Sequence, residues 1–328
     1  MKIKRPHLQL FLLLPLLFLL PGCTVFNISL APSVKPLEEK VLEGKGKPKI
    51  LLLDLDGVIS FKEATSSFGM KTTPSIVAFF REALLKAEKD KKIAGLIVRI
   101  NSPGGGVTAS DTIYHEIMNF RKKKKVPVYA FIMDVGASGG YYVAAAADSI
   151  IASPTAITGS IGVLAMKLNI EGLMGKIGVA EETYKSGPKK DFWSPFRPST
   201  PEEKKMLQGI IDNLYARFVG VVYESRKKAL TRDEVKALAD GRILTAEQAL
   251  DAKLVDKVGY LEDAVADMKK ALKTERAKVV TYARPGSFKP TIYSGVPLPG
   301  QQIINLISFG PDEFASSSGV KFMYLWNP

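Results

Sequence analysis

The chain has 328 residues, 46% of them hydrophobic, and 46 Lys and Arg against 33 Asp and Glu give a formal charge of +13. This is globular composition, and the basic excess comes with no nucleic-acid motif, so no nucleic-acid partner is expected; much of it is the run Arg121–Lys125, which suits a helix C-terminus. A single cysteine, Cys23, excludes an intramolecular disulfide, and with only His7 and His115 no His/Cys metal site is available.

Residues 1–23 read as an export signal. Lys2, Lys4 and Arg5 lead into the apolar core Leu8–Leu20, which is well short of the ~20 residues a spanning helix needs. The ending Leu20-Pro21-Gly22-Cys23 resembles the bacterial lipobox, which implies diacylglyceryl attachment to Cys23 and cleavage before it. An uncleaved hydrophobic anchor is the alternative, and both place the rest of the chain outside the cytoplasm. Residues 24–49, rich in Pro, Lys and Glu, read as a linker.

The domain is expected to begin with the strand Ile50–Asp54. Asp54-Leu55-Asp56-Gly57 looks like the opening of the haloacid-dehalogenase phosphatases, but no acidic pair follows a later strand, so it reads as a strand-end turn. Pro74–Lys89 carries Ile76, Phe79, Phe80, Leu84 and Leu85 on one side, the spacing of a helix. Ile93–Ile100 is apolar on both faces, hence a central strand running into the glycine turn Ser102-Pro103-Gly104-Gly105-Gly106. Ala109–Lys124 returns as an amphipathic helix on which His115 is expected to be solvated.

Strand, glycine turn and helix then recur. Val126–Met133 is a β-rich run, Gly136-Ala137-Ser138-Gly139-Gly140 breaks it, and Tyr141–Ala147 reads as a buried helix. Ser138 therefore stands where a strand becomes a helix N-terminus. Backbone N–H groups are free there, and a serine so placed can attack a carbonyl and have the oxyanion held. The bland reading is a turn with helix packing behind it. Val179–Tyr184 is expected to be a strand, followed by the loop Lys185–Pro195, in which Phe192 and Trp193 flank lysines. Helices are expected at Pro201–Lys228, opened by Thr200, and at Arg232–Leu238, Thr245–Ala252 and Leu261–Leu272. Residues 274–328 form a tail rich in Pro, Gly and Ser with no assigned role.

Residues 50–273 resemble the signal peptide peptidase A family of serine proteases. The matching pieces are Asn101-Ser-Pro-Gly-Gly, Gly136-Ala-Ser-Gly-Gly-Tyr-Tyr, Thr158-Gly-Ser-Ile-Gly, the Ser186-Gly-x-x-Lys-Asp loop, and Gly241-Arg242 to Gly259. The resemblance implies an α/β fold of the Clp protease/crotonase type, a spiral of ββα units with C-terminal helices. It also implies a Ser/Lys dyad without cofactor or metal. Carried over by position, Ser138 is the nucleophile, Lys190 the general base with Lys189 as rival, and Ser160 the serine assisting the lysine. Gly104 or Gly105 supplies one oxyanion N–H and Gly139 the other.

A lysine ordinarily titrates near 10.4, so activating Ser138 at neutral pH requires a dry site, for which Phe192 and Trp193 are candidate walls. The family further implies a homo-oligomeric ring or dome in which the lysine reaches a neighbour's serine. Its substrates are apolar peptides such as signal-peptide remnants, with small or aliphatic side chains accepted. The implied location is the bacterial cell membrane, lipid-anchored, with the catalytic domain extracytoplasmic. Two alternatives have the same fold: an inactive membrane scaffold and a crotonase-type acyl-CoA enzyme.

Overall fold

Runs of Leu, Ile and Val with no polar face can only be buried on both sides, and they build the centre of the sheet. The computed structural model describes residues 35–65, 72–285 and 322–326, all within the unit Val34–Pro328. The export signal and Cys23 lie outside the described residues.

In chain order the first strands are β1 (Glu38–Gly44) and β2 (Lys49–Asp56), then the two-residue β3 (Ala64–Thr65) and β4 (Thr72–Thr73). Helix α1 (Ile76–Lys89) leads to β5 (Ile93–Ser102), the short β6 (Gly104–Gly106) and α2 (Val107–Lys124). Then come β7 (Val128–Ala137), α3 (Gly139–Ala144), β8 (Ser149–Ala152), β9 (Ile157–Gly159) and β10 (Leu164–Ala165). Helices α4 (Glu171–Lys176), α5 (Pro201–Arg226) and α6 (Arg232–Leu238) precede β11 (Ile243–Thr245) and α7 (Ala246–Asp251). The last elements are β12 (Lys257–Val258), α8 (Leu261–Ala271), β13 (Lys278–Ala283) and β14 (Phe322–Leu325).

The main sheet runs β1-β13-β2-β5-β7-β8-β12, parallel from β13 to β12, with β1 antiparallel at its edge. Alternate residues of each strand feed two cores. Ile50, Leu52, Ile97 and Phe131 pack on α8 through Leu261, Val265 and Met268, while Leu51, Leu53, Leu96 and Val98 join the larger core of α1, α2 and α3. At its far end β7 keeps β5 on one edge, through Gly136 opposite Ser102, while on the other edge β9 takes over from β8 in parallel and in turn pairs with β11. Beside that end stands a second small sheet, β10-β14-β6. Among the described residues no helix is long and apolar enough to cross a membrane.

Four expectations change. Glu38–Gly44, inside the expected linker, is an edge strand paired with Lys278–Ala283, inside the expected tail. The tail contributes a second strand, Phe322–Leu325, to the small sheet. Val179–Tyr184 is not a strand: it is irregular and exposed, and no sheet edge reaches it. The central strand also runs beyond Met133 to Ala137, so the serine follows it without an intervening loop.

Candidate active site

Ser138 has one residue in which to turn from β7 into α3. It does so with φ 52° and ψ −115°, a conformation that costs a non-glycine residue ~1–3 kcal/mol and persists only where its surroundings impose it. Here they do. The Ser138 N–H donates to the Gly159 carbonyl at 2.8 Å, and the Ser138 carbonyl accepts the Tyr142 N–H at 2.8 Å. The two following positions have no room for a Cβ: one on Gly139 would lie 2.5 Å from Ser110 Oγ, and one on Gly140 2.7 Å from the Ser102 carbonyl oxygen. Ser138 is 1% exposed, and among the described residues no hydrogen bond engages its hydroxyl.

Register then places Ser160. Ala137 pairs with Gly159 across β7 and β9, and Ser138 and Ser160 are the next residues of the two strands. Ser160 also has positive φ, 49°, and its N–H donates to the Arg242 carbonyl at 2.7 Å.

The glycine turn meets them from the other side. Ser102 Oγ donates to the Gly57 carbonyl at 2.6 Å and accepts the Gly104 N–H at 3.1 Å, which removes Gly104 from the two expected oxyanion donors. Gly104 still matters as backbone: with φ +103° it turns the strand, and a Cβ there would lie 2.7 Å from Gly139 N. Along β6 the Gly104 carbonyl and Gly106 N–H bond Ile59, both at 2.9 Å. Strand alternation therefore sends the Gly105 N–H to the opposite edge, where β14 pairs. The Gly139 N–H, first in α3, has no acceptor within its helix. Asn101 ties the strand ends together, donating to Asp56 Oδ1 at 2.9 Å and accepting the Val135 N–H at 3.3 Å. Thr158 Oγ1 donates to the Gly136 carbonyl at 2.7 Å. Sequence reasoning gave Ser102 and Thr158 no structural task, because their partners come from other strands.

Lys190 makes no hydrogen bond to Ser138 or Ser160. It is exposed, its N–H closes a turn onto the Gly187 carbonyl at 3.1 Å, and among the described residues its amine has no hydrogen-bonding or ion-pair partner. Lys189 is tied to Glu202. Phe192 and Trp193 sit 6.2 Å apart, partly exposed, so within one chain they do not give Lys190 the expected dry wall. The loop is held instead by Asp191, which accepts from Arg197 and Lys185, with Arg197 continuing to Glu203 at 2.6 Å. Arg197 first, and Lys185 second, hold the Asp191 carboxyl well below the usual carboxylate range. The arm carrying Lys190 also exposes Leu164, Met166, Leu168, Leu173, Ile177 and Val179.

Two rival chemistries lose their residues. His115 is exposed beside Asn119, and Asp54 is a buried partner of Arg99 at 2.7 Å between adjacent strands. Among the described residues no group of three or more His, Cys, Asp or Glu is placed to hold a metal ion.

Residues 120–275 match the Peptidase family S49 and residues 61–158 match Clp protease. A protein of Enterococcus faecium named for signal peptide peptidase SppA is 40% identical over 245 residues, covering 75% of this chain and 70% of that one. The chain belongs to peptidase family S49. Within S49 its fold is of the Clp protease/crotonase type, and its class is serine peptidase. The chloroplastic serine protease SPPA of Arabidopsis thaliana is 33% identical over 258 residues, covering 76% of this chain and 37% of that protein. Protease 4 of Salmonella typhi is 34% identical over 209 residues, covering 64% of this chain and 32% of that protein. The S49 chain thus spans about a third of these two longer relatives.

Proposed function

We propose that this S49 chain is a membrane-associated, extracytoplasmic endopeptidase acting on apolar peptides such as signal-peptide remnants. In this reading Ser138 is the nucleophile and Lys190 of a neighbouring copy is the general base. The observation that carries it is the split of the machinery. A buried corner holds Ser138, Ser160 and the Gly105 and Gly139 amides, while Lys190 projects on an exposed arm studded with apolar side chains.

Docked against a second copy, that arm loses water. Desolvation then favours the neutral amine. Ser138 Oγ attacks the peptide carbonyl and its proton passes to the Lys190 amine. The oxyanion accepts from the Gly105 and Gly139 N–H groups. Collapse breaks the C–N bond, and the leaving amine takes the proton from the lysine. Water then attacks the ester, giving its proton to the lysine, and the acid leaves as Ser138 is reprotonated. Ser160 orients the neutral amine. A diacylglyceryl group on Cys23 would hold the domain at the membrane.

A fluorophosphonate probe and a quenched apolar peptide test this. Wild type is expected to label and cleave, Ser138→Ala to do neither, Lys190→Ala to lose cleavage, and Lys189→Ala to retain most of it. Full turnover in Ser138→Ala or Lys190→Ala rejects the assignment.

A further inference from the structure

β7 carries more chain than the strand it pairs with, and the extra length lies just before the nucleophile. β5 advances two residues from Ile100 to Ser102 while β7 advances four from Ile132 to Gly136, so β7 has two additional residues opposite Asn101. The same step is where β7 changes neighbours on its other edge, from Ala152 of β8 opposite Ile132 to Ile157 of β9 opposite Val135. The extra chain is folded up as a bulge. In a straight strand, residues four apart stand ~13 Å from each other. Here a Cβ built on Gly136 would lie 2.7 Å from the Ile132 side chain.

One side chain braces this bulge. Asn101 Oδ1 accepts the Val135 N–H at 3.3 Å, the part that a main-chain carbonyl plays elsewhere in the ladder. Asn101 Nδ2 donates to Asp56 Oδ1 at 2.9 Å, and Asp56 is the residue opposite it on β2. A carboxylate only accepts, so Asp56 holds the amide with its nitrogen toward β2 and its oxygen toward Val135. The Asn101 main-chain carbonyl accepts the Gly57 N–H at 2.9 Å, which joins the ends of β2 and β5. The series Asp56, Asn101, Val135 thus crosses three adjacent strands and ends three residues before Ser138.

We propose that Asn101 is a positioning residue for the peptidase reaction: it fixes the shape of the β7 bulge, and with it the place at which Ser138 presents its hydroxyl. The inference rests on Ser138 as nucleophile. The backbone of Ser138 keeps its positive φ only under restraint. β9 supplies that restraint on one edge of Val135–Ala137, and the Asn101 amide supplies it at the bulge on the other. Without the amide the bulge is free to shift, and the strained turn relaxes by moving the serine. Bulges beside active sites aim a side chain in this way. Asn101 touches no reacting atom, so its loss weakens the chemical step rather than peptide binding.

The test exchanges the two polar partners. Asn101→Ala should lower kcat, and the rate of fluorophosphonate labelling at Ser138, by roughly tenfold to a hundredfold, with KM within about twofold of wild type. Asn101→Asp sets two carboxylates against each other and should be equally slow. Adding Asp56→Asn to it restores a donor on β2 and an acceptor toward Val135, so kcat should return to within about threefold of wild type. Wild-type labelling by folded Asn101→Ala overturns the proposal. So does a loss confined to KM, or a folded double variant that stays as slow as Asn101→Asp.

If these variants do not fold, hydrogen exchange on the wild-type chain decides. Covalent labelling of Ser138 should slow exchange of the Val135 amide by about threefold or more, because a serine held in place holds the bulge. Unchanged exchange there overturns the proposal. A wild-type chain that neither labels nor cleaves rejects the peptidase reading itself, and this inference with it.

Discussion

One hydroxyl, that of Ser102, holds both limbs of the oxyanion turn. It is fully buried, and its two bonds, to the Gly57 carbonyl and from the Gly104 N–H, fix the plane in which Gly105 presents its own N–H. Ser102→Ala leaves the buried Gly104 N–H and the part-buried Gly57 carbonyl unpaired, each costing about 1–3 kcal/mol, so the unfolding free energy should drop by about 2–6 kcal/mol in urea titration. Misplacing the Gly105 donor should also lower kcat by roughly tenfold or more with little change in KM; an unchanged kcat would show that the turn is held by other means. At this scale the place of Ser138 and Gly139 at a strand-to-helix turn was legible, because a glycine-rich break between an apolar strand and a helix announces its own geometry. The task of Ser102 was not, since it depends on Gly57, a residue brought near only by the pairing of β2 with β5. For the same reason the bond from the Gly104 N–H to Ser102 Oγ was not legible.

Among elements, the apolar central strands and the helices α1, α5, α6 and α8 followed from composition and periodicity alone. The misreadings share one cause: a strand needs an edge to pair with. Val179–Tyr184 has β-rich composition but no edge and stays irregular, whereas the charged Glu38–Gly44 finds the edge of β13 and becomes a strand. The start of α5 shows how the active-site arm is tethered. Thr200 caps it, accepting the Glu203 N–H at 3.2 Å, and Glu203 returns a bond to the Thr200 N–H at 2.8 Å while receiving Arg197. Arg197, then the Thr200 N–H, lower the Glu203 carboxyl to about 2. Its folded pKa is thus below its unfolded value near 4.3, so its stabilisation is present above about pH 4.3 and fades as pH falls toward 2. Glu203→Gln should therefore be less stable than wild type at pH 7, with the gap in urea midpoint closing between about pH 4 and 2. A gap that stays constant across that window would contradict the pairing.

For the whole molecule, the open question is where the base comes from, and the answer changes what one chain can do. Family membership was legible because several short motifs recur in order; the exposure of Lys190 was not, since no local pattern reports whether a loop packs onto its own chain or faces solvent. Lys190 is exposed on an arm whose helix α4 buries no residue, and the loop around it is braced by Asp191, Arg197 and Glu203. An arm so braced, yet offering Leu168, Leu173 and Ile177 to solvent, is shaped for a second copy rather than for collapse onto its own nucleophile. In the proposed assembly a head-to-tail contact would give each catalytic site a serine from one chain and a lysine from the next. Ser138→Ala and Lys190→Ala chains, each inactive alone, should then recover activity when co-assembled. With random mixing at equal amounts, a site works only if its serine comes from a Lys190→Ala chain and its lysine from a Ser138→Ala chain, so about one quarter of wild-type turnover is expected in a head-to-tail ring. If both residues act within one chain, every mixed assembly stays silent, and quenched-peptide assays on the co-purified mixture separate the two outcomes.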